Sequence, residues 1–169
     1  MSKKTYIKNN KPMLNSKSKY KQGYYKPKNP SKYKGDIKNI IFRSGLELKW
    51  YTYFDSQPAF LEWCCEEVVV PYRSQLDNKI HRYYIDVWVK YINKQGVEKE
   101  LIIEIKPLSQ TTIPKIPKYK GKSYYYNVKQ FIINDSKWNS AFEFAENNNM
   151  TFMLLTEKGM RKYTPPTKG

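Results

Sequence analysis

Apolar residues recur along this chain in two rhythms, one of three and four residues and one of two, and their order predicts a single α/β domain. Phe42, Leu46, Trp50 and Tyr53 or Phe54 fall at helical spacing, so a helix is expected over residues 42–55, with Ser44 as its N-cap. Glu47 lies one position off that stripe, at the border of its buried and exposed faces. The valine run Val68-Val69-Val70, bounded by Pro71, predicts a first strand. Asp77-Asn78 suits a hairpin turn into a second strand over residues 80–91, where the two faces alternate cleanly. Tyr83, Ile85, Val87 and Val89 share one face, and Arg82, Tyr84, Asp86, Trp88 and Lys90 the other.

After a turn at residues 93–96, a third strand is expected over residues 99–106, ended by Pro107, which has no N–H for a ladder. Residues 108–122 read as a mobile basic loop. Helical spacing returns through Val128, Phe131, Trp138, Phe142 and Ala145, as one long helix or as two with a break near Asn134-Asp135. Asn147-Asn148-Asn149 stops it, and a last strand covers residues 151–157. The expected fold class is therefore α/β, a central mixed four-stranded sheet flanked by helices in the order α-β-β-β-α-β. Trp50, Trp63 and Trp138 are expected as core anchors, and Trp88, on the face of Asp86, can line a cleft.

Composition adds a polyanion to this picture. The 169 residues carry 31 Lys and Arg against 15 Asp and Glu, a balance that favours nucleic acid as partner. The excess is concentrated: residues 1–35 hold eleven lysines and no acid, interleaved with Tyr6, Tyr20, Tyr24, Tyr25 and Tyr33, leaving 20 basic residues against all 15 acids in the remainder. Such a stretch buries too little apolar surface to order itself. The expected organisation is a flexible basic arm over residues 1–35, a folded domain over 36–160 and a flexible C-terminus over 161–169. The arm is either a solubilising tail or a sequence-blind phosphate-binding arm whose tyrosines stack on bases or pack on the domain.

No run of about 18 apolar residues is present, and the amino terminus lacks the apolar core of a signal peptide. A soluble, non-secreted protein without membrane contact is expected. Adjacent Cys64 and Cys65 suit reduced thiols better than a mutual disulfide, and only His81 can join them in a zinc site.

Candidate chemistry centres on the third strand. Glu104 and Lys106 share one strand face, with Cα atoms roughly 7 Å apart, while Leu101, Ile103 and Ile105 take the other. If strands two and three pair across residues 93–96, Asp86 joins Glu104 and Lys106. Carboxylates that hold Mg²⁺, with an ammonium beside them, meet the needs of phosphodiester hydrolysis: charge neutralisation, an activated water and stabilisation of the departing oxygen. The expected ligands are Asp86, Glu104 and the main-chain carbonyl of Ile105, with Glu47 as a further acid, and Mn²⁺ is expected to substitute for Mg²⁺. Arg43, Arg82, Lys129 and Lys137 are candidate DNA contacts. Against these stand an ion pair of Arg43 with Glu47 and a solvated helix face for Lys129, Asn134 and Lys137. His81 suits a structural or phosphate-facing role.

Tyr84-Ile85-Asp86 and Glu104-Ile105-Lys106, with Glu47 on the preceding helix, resemble the PD-(D/E)xK nuclease superfamily and its restriction-endonuclease-like core. Ile85 stands where that motif usually has proline, which removes no ligand. Over residues 29–157 the chain is similar to the head completion nucleases of T4-like tailed phages. The segments that carry this likeness are Asn29-Pro30-Ser31-Lys32-Tyr33-Lys34-Gly35, Phe42-Arg43-Ser44-Gly45-Leu46-Glu47-Leu48-Lys49, residues 80–88, residues 103–107, residues 134–138 and Leu155-Thr156-Glu157. The resemblance implies a phage enzyme that trims or processes DNA ends before tail joining. It would act in the host cytoplasm during assembly or in the virion head, near portal or head-tail connector proteins. Two other readings stay open: a non-catalytic DNA-end or portal-binding protein on a nuclease-like fold, and a transposase-type end-cleaving subunit. The oligomeric state is open.

Overall fold

The strand expected over residues 80–91 is broken in two by a kink at Ile85-Asp86, and that kink shapes the rest of the fold. The computed structural model describes residue 14 and residues 18–166. In chain order the elements are β1 (Gly23–Tyr24), β2 (Ile41–Phe42), α1 (Gly45–Ser56), β3 (Phe60–Cys65), β4 (Val69–Arg73), β5 (Ile80–Tyr84), β6 (Val87–Ile92), β7 (Glu98–Ile105), α2 (Lys122–Asn147), β8 (Thr151–Thr156) and β9 (Gly159–Lys162). The main sheet has five strands in the order β3-β6-β7-β8-β9, not the four expected. Within it only β7 and β8 pair in parallel, as a crossover through α2 requires.

β3 to β6 form one long hairpin bent in the middle. Cys65 pairs with Val87 on the sheet side and Val69 with Tyr84 on the far side. Between those pairs, Glu66, Glu67 and Val68 face only Ile85 and Asp86, a bulge of one extra residue that bends and twists the ribbon. Glu66 takes up the strain with φ 54°, and its N–H reaches the carbonyls of Ile85 and Asp86 at 3.1 and 3.3 Å. The valine run is therefore not a strand of the main sheet. It contributes β4 of a two-stranded outer hairpin with β5, while Phe60–Cys65 supplies the sheet edge.

α1 begins at the expected N-cap. The Ser44 hydroxyl accepts the Glu47 N–H at 3.1 Å, and Glu47 three residues on completes a capping pattern. Its buried stripe is displaced from the expected one: Tyr51, Phe54 and Asp55 face the core, Phe42 lies in β2, and Trp50 packs against the cluster part-buried. Glu47, four residues before Tyr51, is thus in line with the buried face and points at the sheet.

α2 is one continuous helix, with no break at Asn134-Asp135. It buries Asn134, Ser136, Trp138, Ala141 and Ala145. Ser136 also ties it to the outer hairpin, its hydroxyl accepting the Gln75 N–H at 3.3 Å. No helix among the described residues is long and apolar enough to cross a membrane. Cys64 and Cys65 are buried and form no disulfide, and Cys65 Sγ lies 3.3 Å from the Tyr33 hydroxyl.

Both expected domain boundaries fall inside packed structure. Tyr33 is buried with its ring 4.8 Å from that of Trp63, and Tyr25 packs between Tyr51 and Trp63. Asp55, wholly buried, fastens this segment: it accepts the Tyr25 hydroxyl at 3.0 Å and the N–H groups of Lys28 and Asn29 at 2.7 and 3.1 Å. At the other end β9 runs across residue 160, and Tyr163 is buried against Phe152. Tyr6 and the rest of residues 1–13, with residues 15–17, lie outside the described residues.

Asp55→Ala leaves two part-buried N–H groups and a phenol without their acceptor. The expected cost is about 2–4 kcal/mol of unfolding free energy, read as a lower urea midpoint at unchanged slope.

Candidate active site

β7 delivers Glu104 into the interior and then leaves Lys106 at its end. Glu104 is only 2% exposed, and its two oxygens are held from opposite sides. The Lys106 ammonium donates to Oε1 at 3.0 Å, and the Tyr83 hydroxyl donates to Oε2 at 2.5 Å. The backbone of Lys106 is itself fixed, its N–H bonded to the Leu155 carbonyl of β8 at 3.0 Å.

Asp86 sits at the elbow of the bent hairpin, one step beyond the Val87–Ile103 pair and so across from Glu104. Its Oδ2 accepts the Ile105 N–H at 2.7 Å, which locks the carboxylate against β7. A regular strand would put Tyr83 and Asp86 on opposite faces, being three residues apart. The break between β5 and β6 at Ile85-Asp86 cancels that parity, and both reach the Glu104-Ile105 end of β7.

Glu47 reaches the same region from α1. Its Oε2 accepts the Arg43 main-chain N–H at 2.8 Å and its Oε1 the Ser44 hydroxyl at 3.0 Å. The bond seen between Arg43 and Glu47 runs through the Arg43 main chain, in place of the ion pair weighed against a phosphate contact. Arg43 precedes the helix, and its guanidinium instead binds Glu66, with Nη2 3.0 Å from Oε2.

These groups feel one another strongly. Burial pushes the Asp86 carboxyl well above the usual carboxylate range, the charge on Glu104 adds to this, and Lys106 partly offsets it. Burial also raises Glu47, tempered by the Arg43 N–H, the Ser44 hydroxyl and the charge of Lys106. Lys106 is held protonated above its ordinary value, first by Glu104 and then, against its own burial, by Asp86 and Glu47. Three carboxylates therefore share one ammonium.

That imbalance, two negative charges when all are ionised, suits a divalent cation, and an all-oxygen donor set suits a hard one such as Mg²⁺. Among the described residues, no three His, Cys, Asp or Glu side chains already converge as a metal cage. The fit rests on the pair Asp86 and Glu104 with main-chain oxygen, and on the charge they leave unbalanced.

The other expected site residues divide. Lys137 is near the centre, its Nζ 5.4 Å from the Tyr83 ring and 5.8 Å from that of Tyr72. Lys129 is exposed on α2 and Arg82 exposed on β5, neither touching the cluster. His81 is paired with Asp77 of the hairpin turn at 2.9 Å. Trp88 is buried and donates to Glu100 at 2.8 Å rather than lining the cleft.

Tyr83 and Glu66 belong to the site without any mark in the periodicity. The one sequence sign for them is the acid pair Glu66-Glu67 interrupting an apolar run, which marks the bulge. A cleft of about 900 Å³ opens beside Lys106, between residues 107–121 and the first half of α2; Asn134, Lys137 and several tyrosines line it.

Comparison with known proteins supplies the family. The head completion nuclease of Enterobacteria phage T4 is 35% identical over 143 residues, a stretch that covers 82% of this chain and 93% of that protein. No solved structure matches the chain significantly. The model of the TnsA-like endonuclease N-terminal family matches residues 57–157, which takes in Asp86, Glu104 and Lys106 and leaves Glu47 just ahead of it. Since that match spans more than half of the sequence and runs from the end of α1 through β8, the chain belongs to the TnsA-like endonuclease family.

Proposed function

We propose that this protein is a Mg²⁺-dependent DNA endonuclease that trims or processes DNA ends during completion of a phage head. The observation that carries this reading is the meeting of Asp86 and Glu104 at the end of β7, where the Ile105 N–H fixes one carboxylate and Lys106 and Tyr83 fix the other. Family membership and the name of the phage T4 relative support the reaction and its setting. In that setting the enzyme works in the infected host's cytoplasm or in the head, beside portal or head-tail connector proteins.

Asp86, Glu104 and the Ile105 carbonyl are the groups that would hold the ion, with Glu47 as a further acid, and Mn²⁺ is expected to substitute. The ion supplies charge neutralisation at the phosphate and a more acidic water. Lys106 contributes a fixed positive charge where negative charge develops, and its bond to Glu104 holds it there before substrate arrives. Tyr83 keeps Glu104 from rotating away. Lysines of the first 35 residues, and Arg82, Lys129 and Lys137 on the surface, attract phosphate without reading bases, so affinity should fall steeply with salt.

The test is cleavage of supercoiled, linear and branched DNA in Mg²⁺ or in EDTA. Cleavage with Mg²⁺ and none with EDTA is expected. Equal cleavage in EDTA would overturn the metal requirement. No cleavage of any form in Mg²⁺ or Mn²⁺ would overturn catalysis in favour of a non-catalytic DNA-end or portal-binding role.

A further inference from the structure

From Lys106 to Asn134 the sequence has six lysines and no acidic residue. This stretch supplies all of the lining of the cleft beside Lys106 except Lys137, and carries four tyrosines, Tyr119, Tyr124, Tyr125 and Tyr126. Exposing large aromatics is costly for a surface with no ligand, yet Tyr119 is 80% exposed and Tyr126 62%. Both line the cleft, together with Tyr124. The polar groups between them, Asn127, Gln130 and Asn134, can donate and accept in the plane of a base. At about 900 Å³ the cleft is in the range that takes a small molecule, roughly 300–1,000 Å³. It is thus sized for a few nucleotides of one strand and not for a duplex.

We propose that this tyrosine-lined, acid-free cleft is a single-strand subsite, in which unpaired nucleotides stack on Tyr119 and Tyr126 while the adjoining phosphate is delivered to Lys106. Stacking on aromatic faces is tolerant of base identity, and the lysines around it hold the backbone. The substrate class that follows is DNA with single-stranded character at the cut: a frayed or protruding end, or the arm of a fork. Delivery to Lys106 rests on the endonuclease reading above, whereas binding of the single strand does not.

The two are separated by measuring binding without divalent metal, by fluorescence anisotropy of a short labelled single strand and of the same sequence as blunt duplex, using the full chain. The wild type should favour the single strand. Tyr119→Ala combined with Tyr126→Ala should weaken single-strand binding by about tenfold or more, with Tyr119→Phe and Tyr126→Phe restoring it. Since tyrosine is uncharged, the dependence of affinity on salt should keep its slope. Unchanged single-strand affinity in the double alanine variant, or a loss that phenylalanine does not restore, would overturn the subsite. A protein that binds single strands through these tyrosines but cuts no DNA in Mg²⁺ would keep the subsite and lose the endonuclease reading.

Discussion

Lys106→Ala is expected to lower the cleavage rate about 10²- to 10³-fold at saturating Mg²⁺, with DNA affinity reduced only a few-fold. The size follows from the role: a fixed charge placed where charge develops in the transition state is typically worth that much when removed. Lys106 is suited to it because its ammonium is anchored on Glu104 at 3.0 Å and is held protonated by three carboxylates. Affinity is spared because Lys106 is one of 31 basic residues, and a single lysine on a phosphate accounts for about one released counterion. The folded state should survive, since Glu104 keeps its bond from the Tyr83 hydroxyl. Circular dichroism and gel-based cleavage of the same preparation check both halves of the expectation.

Asp86→Asn is expected to make the metal-free protein more stable, by about 1–2 kcal/mol near neutral pH. Asparagine still accepts the Ile105 N–H but removes one of the crowded charges. The sign follows from linkage. Burial and Glu104 raise the folded-state pKa of Asp86, so the unfolded chain gives up this proton at lower pH than the folded one. No penalty exists below the ordinary carboxylate value, and the penalty grows as pH rises from there towards the raised folded value. The stability gap between variant and wild type should therefore be absent in acid and open as pH increases. Mg²⁺ should raise the melting temperature of the wild type by binding the folded state alone, and raise that of Asp86→Asn far less. Thermal scans across pH, with EDTA or Mg²⁺, read all of this.

What the sequence makes legible here is what depends on local periodicity. Glu104 and Lys106 are two apart on a strand whose other face, Leu101, Ile103 and Ile105, is apolar, and the hairpin spacing brings Asp86 across from them. The cap at Ser44 is local too, and it fixes where α1 begins and thus where Glu47 points. What stays hidden depends on residues distant in sequence or on a break in the pleat. Counting by twos assumes a regular strand, so it cannot reveal the bulge of Glu66, Glu67 and Val68 against Ile85 and Asp86, nor the turn of Tyr83 towards Glu104 that comes with it.

The valine run reads as a sheet strand because hydrophobicity does not distinguish a hairpin packed on a helix from one packed in a sheet. β9 leaves no trace in the pattern because Gly159-Met160-Arg161-Lys162 has almost no apolar alternation; it is a strand because Met153 to Thr156 offer it a free ladder edge. The segment around Tyr25 and Tyr33 has the composition of a tail, yet it is held by the buried carboxylate of Asp55 and by ring packing on Tyr51 and Trp63, all distant in sequence.

The most direct trial of the site is cleavage of plasmid DNA in Mg²⁺ by Asp86→Asn, a change that keeps the Ile105 bond and the fold while removing one expected ligand charge. Loss of cleavage with a raised metal-free melting temperature is the expected result. Cleavage at the wild-type rate by this folded variant would contradict the assignment of Asp86 and Glu104 as the centre of the enzyme.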